Sequence, residues 1–418
     1  MTASLSLFLR NLMTTYTSTD TIHSARVRRF YHPWRASGSR PRHVIMEIAF
    51  LLSGLVLLVY FAGVSHVRVL DDAYITYRFA EYLALGHGLV WNVGQERTEG
   101  FTSLLHVLLC AGAIRVGWDP LLFTRGISIA GLLMTALLCR VWVSQLQVRP
   151  CWLKSGVWVL VLGNGCMVYA GLFGMETLVA AALVTLSGWL WWMLVCRRRS
   201  AAARWFPLVG LLVVMARPDA LVWLIGIMSV TVGWTALRKN PHRTGGDICF
   251  AAAATMTAAA VFWGWRWSYF GWSMPNAFYV KSSQSIISLP GALYVSQYLL
   301  WVAPLAVGVA AGLFVVRSSG FRALAAGLIV FIGAYVRFEP LMGTAFRFLL
   351  PVFPMLTVCG LWGWSAAYAS DTLWTRTHRR RLTVASVAAH DQGALFYYSG
   401  WNRPGGPHDQ PRFEGPLR

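Results

Sequence analysis

Two adjacent acids, Asp71 and Asp72, followed by Tyr74 and Arg78, carry the strongest chemical signal in this chain. They stand directly after an apolar run. Side-by-side carboxylates there repel each other and lose solvation, a cost that a basic partner, a metal or a substrate proton would offset. A carboxylate general base or a metal ligand at a membrane surface fits the pattern. A solvated interfacial loop with a local ion pair fits it too. The surroundings favour a folded pocket: Gly86, Gly88, Trp91 and Asn92 follow, then Glu96, Arg97, Glu99, Gly100 and Phe101.

Four more groups could do chemistry. Glu176, within Gly174–Thr177, stands at a helix start, where it is either a catalytic acid or a dipole-favoured cap worth under about 1 kcal/mol. Arg217-Pro218-Asp219 is either a turn closed by its own ion pair or an arginine that contacts phosphate. Arg266, Tyr269, Asn276, Tyr279 and Lys281 form the richest loop. Its cations suit a lipid-linked phosphate, and its aromatics suit stacking on a sugar or prenyl chain. Snorkelling basic residues in an aromatic belt are the structural alternative. Arg347, followed by Pro351 and Pro354, falls at a helix end that the prolines are expected to bend. There is no phosphate-binding P-loop, nucleophile elbow, zinc-protease helix or dinucleotide fingerprint. The seven cysteines are scattered without paired spacing and read as small packing residues.

The elements that position these groups are membrane helices. Only 12% of the 418 residues are charged and 56% are hydrophobic, whereas a soluble domain of this size carries roughly a quarter charged residues. Apolar runs recur near 44–64, 102–117, 121–143, 153–173, 177–196, 205–216, 219–237, 248–265, 287–316, 323–336 and 346–368. The formal charge of +20 would by itself point to nucleic acid, but it comes in clusters between these runs, as the positive-inside rule expects, and forms no contiguous basic domain. Arg140, Arg149 and Lys154 form one such cluster, Arg197, Arg198, Arg199 and Arg204 another, and Arg317 with Arg322 a third.

If all the clusters are cytoplasmic, the run at 102–117, which is short and contains His106 and Arg115, must be an interfacial helix rather than a full crossing. Loops 65–101, 173–177, 216–219, 266–286 and 337–346 then share the external face. About half of the acids sit on them, and their cations run against the positive-inside trend, so partners or ligands are expected there. The expected fold is all-α: a polytopic transmembrane helical bundle with external interfacial helices in the first loop. Residues 1–43 read as a cytoplasmic, disordered tail, 44–368 as the membrane domain of about ten spans, and 369–418 as a separate C-terminal piece.

Seven segments in order, Asp71–Arg78, Gly86–Asn92, Glu96–Ser103, Gly174–Thr177, Arg217–Asp219, Arg266–Lys281 and Arg347–Pro354, resemble motifs of the GT-C superfamily of membrane glycosyltransferases. The likeness is to the bacterial branch that includes arabinofuranosyltransferases and the aminoarabinose and protein mannosyl transferases. It spans roughly residues 44–368.

The resemblance implies transfer of a sugar from a polyprenyl phosphate to an envelope glycan, lipid or protein acceptor outside the bacterial inner membrane, with no nucleic-acid partner. Asp71 or Asp72 would be the base and Glu176 a second acid. Arg266, Lys281, Arg347 and Arg217 would meet the donor phosphate. Tyr74, Arg78, Trp91, Asn92, Glu99, Tyr269, Asn276 and Tyr279 would line the substrate site. No cofactor is required, although the acids could hold a divalent metal.

The stretch 387–400 is similar to the start of the family's small external domain but falls on the cytoplasmic side by parity. Residues 402–418 are rich in Pro, Gly and Arg and read as disordered. A deleted span with a truncated or frameshifted end would explain both. Two other classes stay open: a transporter or flippase for a lipid-linked sugar, and a non-catalytic membrane assembly factor.

Overall fold

The computed structural model describes residues 40–65, 69–146, 148–236, 243–281, 287–341 and 343–370. The expectations for the N-terminal tail, for the end of the chain from 371 and for the side chain of Lys281 lie outside the described residues. The chain divides into two compact units, 1–45 and 46–418. Of the first, the opening turn of one helix is described.

The described residues form α-helices and short 3-10 turns, with no strand among them. The helices are α1 (Arg40–Val64), α2 (Asp71–Ala84), α3 (Leu104–Arg115), α4 (Pro120–Gln145), α5 (Cys151–Leu162), α6 (Gly165–Leu172), α7 (Thr177–Arg197), α8 (Ser200–Ala216), α9 (Ala220–Ala236), α10 (Arg243–Phe270), α11 (Asn276–Lys281), α12 (Leu289–Trp301), α13 (Ala303–Val315), α14 (Ser319–Ala334) and α15 (Phe353–Ala369). Among the described residues, seven stretches are long and apolar enough to cross a membrane: α1, α4, α5 with α6, α7, α10, α14 with its 3-10 extension, and α15 with the turn before it. The protein is a multi-pass membrane protein.

Three details differ from the sequence expectation. The run at 287–316 is not one straight span, because α12 and α13 meet at an 85° bend, with Pro304 in the first turn of α13. Counted as one broken span, that pair brings the stretches of sufficient length and apolarity among the described residues to eight. α8 and α9, at 17 residues each, rise about 26 Å and fall just short of the roughly 30 Å hydrocarbon core. Pro351 and Pro354 do not bend a helix. Pro351 sits in a 3-10 turn, Leu350–Val352, and Pro354 in the first turn of α15, where a missing N–H costs nothing. The short run that begins at 102 is α3, 12 residues long, and it packs against α2.

One acid inside the spans is fully engaged. Glu47 of α1 accepts from Arg140 Nη2 at 2.9 Å, Ser155 Oγ at 2.6 Å and Trp158 Nε1 at 2.7 Å, which ties α1 to α4 and α5. Elsewhere helices approach through small residues. A Cβ on Gly226 of α9 would lie 2.7 Å from the Gly327 Cα of α14, the close packing that small residues permit in membranes.

Candidate active site

The loops expected on one face do converge, and they do so through charge. α2 begins at Asp71, so both acids lie in its first turn, where the positive end of the helix dipole eases their mutual repulsion. The face of α2 formed by Ala73, Thr76, Tyr77 and Ala80 is buried, with the i, i+3, i+4, i+7 spacing of an interfacial helix. This fixes Asp72, whose Oδ2 accepts from Arg347 Nη2 at 2.6 Å across 275 residues of sequence. Asp71 is exposed.

Arg347 is only 3% exposed. Its Nε and Nη1 are buried and have no hydrogen-bond partner among the described residues. Its guanidinium lies over the Phe348 ring at 4.9 Å. The two residues before it are left-handed, Ala345 at φ 52° and Phe346 at φ 55°. Each costs on the order of 1–2 kcal/mol, and strain of this kind persists only where packing holds it. Here Phe346 is stacked on Trp301 at 5.4 Å and packed against Tyr298 at 5.6 Å.

A second cluster adjoins the first through Phe348. Arg217 lies over that ring at 5.7 Å and Tyr335 stacks on it at 6.1 Å. Arg217 is bidentate to Asp219, with Nε–Oδ1 at 3.1 Å and Nη2–Oδ2 at 2.7 Å. Tyr335 accepts from Arg217 at 3.1 Å and donates to Asp219. Burial pushes the Asp219 carboxyl up, but Arg217 and the Tyr335 hydroxyl outweigh it and hold the group below the usual carboxylate range. The Arg-Pro-Asp turn is therefore closed by its own ion pair, and its arginine is not a free phosphate cation.

Glu176 is 5% exposed. It starts α7 without capping it, and its nearest cation is Arg217 Nη1 at 3.9 Å. No hydrogen bond to its carboxylate is formed among the described residues. The turn that presents it is pinned: the Gly174 carbonyl accepts from Tyr77 Oη at 3.1 Å and faces His106 Nε2 at 3.2 Å. Gly174 has φ +79°, and a Cβ there would stand 2.4 Å from Tyr77 Oη.

Arg266 also differs from expectation. It is 2% exposed and bidentate to Glu99, itself 3% exposed, through Nε–Oε1 at 2.9 Å and a shorter Nη2–Oε2 contact. Each neutralises the other in a buried place, while Arg266 Nη1 is buried without a hydrogen-bond partner among the described residues. Burial pushes the Glu99 carboxyl up, opposed by Arg266. The Glu99 carbonyl accepts from the backbone N–H of Asn276, which opens α11.

Arg78, Trp91 and Asn92 are turned toward one another. Arg78 donates to the Trp91 carbonyl at 2.9 Å and to Asn92 Oδ1 at 2.6 Å, and lies over the Trp91 ring at 4.5 Å. They shape the first loop. Tyr269 Oη accepts from Leu89 N at 3.2 Å, under Arg97 at 4.4 Å. Tyr74 and Tyr279 are exposed.

Sequence reasoning missed Tyr335, Phe348 and His106. The first two lie in apolar surroundings and no spacing marks them. His106 was noted as a polar residue in a short apolar run, which was the available signal. Among the described residues, no group of three or more His, Cys, Asp or Glu side chains converges as a metal site.

No protein-family model matches the chain. A curated terminal β-(1→2)-arabinofuranosyltransferase from Mycobacterium tuberculosis is 27% identical over 300 residues, covering 66% of this chain. The chain spans 45% of that relative's length. Among solved structures, ArnT from Cupriavidus metallidurans bound to undecaprenyl phosphate aligns with TM-score 0.54 at 13% identity, over 84% of this chain and 75% of its own. The archaeal oligosaccharyltransferase AglB from Archaeoglobus fulgidus, in complex with an inhibitory peptide and a dolichol-phosphate, aligns with TM-score 0.50 at 12% identity, over 90% and 57%. The fold is that of the GT-C membrane glycosyltransferases, as the motifs implied.

Proposed function

We propose that this chain transfers a sugar from a polyprenyl-phosphate donor to an envelope glycan, lipid or protein acceptor at the outer face of a bacterial inner membrane. The observation that carries the reading is the meeting of Asp72, at a helix N-terminus, with Arg347, a buried cation that has two N–H groups to spare. An acid beside an unsatisfied cation suits a reaction that takes a proton from one partner and leaves negative charge on the other. The solved relatives of this fold were captured with undecaprenyl phosphate and with a dolichol-phosphate, which supports the donor class. The curated relative's name makes an arabinofuranosyl donor the first to try.

In this mechanism Asp72, assisted by Asp71, accepts the proton of an acceptor hydroxyl. The acceptor oxygen bonds to the anomeric carbon from the face opposite the phosphate. The bond from that carbon to the phosphate oxygen breaks, and its electron pair leaves with the phosphate. Arg347 stabilises that charge as it develops, and Lys281 is assigned to the same phosphate. Glu176, buried and without a hydrogen bond, is positioned to accept from a hydroxyl of the bound sugar. Arg217 and Arg266 are assigned to holding the loops in place.

A flippase would use the same cations without needing a base. Mass spectrometry of lipids and envelope glycans from a deletion strain tests the reading. One sugar should be missing and its polyprenyl-phosphate form should accumulate, and a copy carrying Asp71→Asn and Asp72→Asn should restore neither. Restoration by that copy would sink the enzymatic reading.

A further inference from the structure

We infer that the Asp72–Arg347 ion pair is a latch, closed in this structure, which the donor phosphate must open before the acid can act as a base. The inference rests on the proposed transfer reaction and adds an order of events to it.

Access is the first observation. Arg347 is almost wholly buried, and its Nε and Nη1 are closed off yet unpartnered. A phosphate cannot reach them while this arrangement holds. A buried guanidinium N–H without an acceptor is costly, so the closed state leaves unmet the bonding that an anion would supply.

Reaction geometry is the second. In a displacement at the anomeric carbon, the acceptor oxygen enters on one face of the sugar ring and the phosphate leaves from the other. The base sits on the entering side and the phosphate cation on the leaving side, with the ring between them. A base and a cation in direct contact, at 2.6 Å, leave no room for that ring. The reacting state must therefore separate Asp72 from Arg347.

Backbone strain is the third. Ala345 and Phe346, both left-handed, immediately precede Arg347. Relaxing either residue to negative φ would re-aim the arginine, so strain is concentrated where the latch would have to move. Asp72, with its side chain 28% exposed, is the more accessible half, and α2 holds it by backbone packing that does not depend on the pair.

Donor would then bind by exchanging one anion for another on Arg347, and only the loaded site would present a free carboxylate to the acceptor. An acceptor arriving first would find the acid engaged. Ordered binding, donor before acceptor, is the functional consequence.

The test uses the full-length protein in lipid nanodiscs, with undecaprenyl phosphate as the probe and binding read by native mass spectrometry. Asp72→Asn and Asp72→Ala remove the competing charge and should bind the probe more tightly than the parent, by roughly tenfold for one charge-assisted hydrogen bond. Arg347→Ala should bind it more weakly. Gel filtration confirms that each variant is folded. If both Asp72 variants bind no better than the parent while Arg347→Ala binds worse, the latch is wrong and the phosphate site stands. If Arg347→Ala equals the parent, or neither the parent nor the Asp72 variants bind the probe, the donor assignment fails and the latch fails with it.

Discussion

Removing one member of the Glu99–Arg266 pair should cost far more than removing both, and the two single losses should respond differently to pH. Both side chains are about 2–3% exposed, and the guanidinium fork is bidentate. Breaking a buried pair of this kind costs on the order of 3–5 kcal/mol, because the survivor is left charged and uncompensated. Glu99→Gln strands Arg266, which cannot shed its proton in any accessible range. Arg266→Ala strands Glu99, which can neutralise itself by binding one.

The sign of the pH effect follows from burial. Burial already raises the Glu99 carboxyl above its ordinary 4.5 against the pull of Arg266, and without Arg266 nothing opposes it. The folded Arg266→Ala protein therefore binds a proton that the unfolded chain releases, and it gains stability as pH falls from 7 toward 4.5. The gain is about 1.4 kcal/mol per unit while Glu99 is titrating only in the fold. The deficit of Glu99→Gln should stay flat over that range, and Glu99→Gln with Arg266→Leu should recover most of the loss. Denaturant unfolding in detergent at pH 7, 6 and 5, read by tryptophan fluorescence, gives all the numbers. Single deficits under about 1 kcal/mol, or an Arg266→Ala deficit indifferent to pH, would refute the buried-pair reasoning.

Other parts of the structure give shorter tests. Gly174→Ala should lose roughly 1–3 kcal/mol of stability and misplace Glu176, because a Cβ would meet Tyr77 Oη at 2.4 Å on a left-handed backbone; Gly174→Ala together with Tyr77→Phe should recover part of the loss, and equal unfolding midpoints for all three proteins would contradict this. Tyr335→Phe should cost about 1.5–3 kcal/mol by taking a charge-assisted donor from Asp219, with a loss under half of that showing that the hydroxyl is dispensable. In a background without native cysteines, new cysteines at Glu96 and Trp272 should be labelled by an impermeant reagent from outside intact cells, and one at Arg199 only after permeabilisation; labelling at either of the first two but not the other would break the single-face topology.

The arrangement of helices was legible because apolar length and interrupting charge are local signals. Arg217-Pro218-Asp219 separates α8 from α9 where the sequence put a turn, and the short run with His106 and Arg115 is the short helix α3. The bend between α12 and α13 was not legible. Residues 287–316 carry no charge, and Pro304 within them reads equally as a kink or as a first-turn residue. The site was legible as a set of residues and not as a set of pairs. Asp72 was marked by its acidic neighbour and its place directly after an apolar run, but its partner stands 275 residues away. Arg266 looked like a free cation because its acid is 167 residues upstream. Charge pairing between distant loops is decided by how the helices pack, and local spacing carries no trace of it. Arg217 and Asp219 are the counter-example: two residues apart, they were readable as an ion pair and form one.

In the proposed reaction the bond between a sugar and a polyprenyl phosphate is broken, and the lipid is not merely moved intact. Purified protein in vesicles, supplied with polyprenyl-phosphate arabinofuranose and an envelope glycan acceptor, tests that bond directly by mass spectrometry of both lipid and glycan. One polyprenyl phosphate should be released for each pentose gained by the acceptor, with the parent active and Asp72→Asn slower by roughly two to four orders of magnitude. Lipid-linked sugar that crosses the vesicle membrane with its phosphate bond intact, at equal rates in parent and Asp72→Asn, would contradict it.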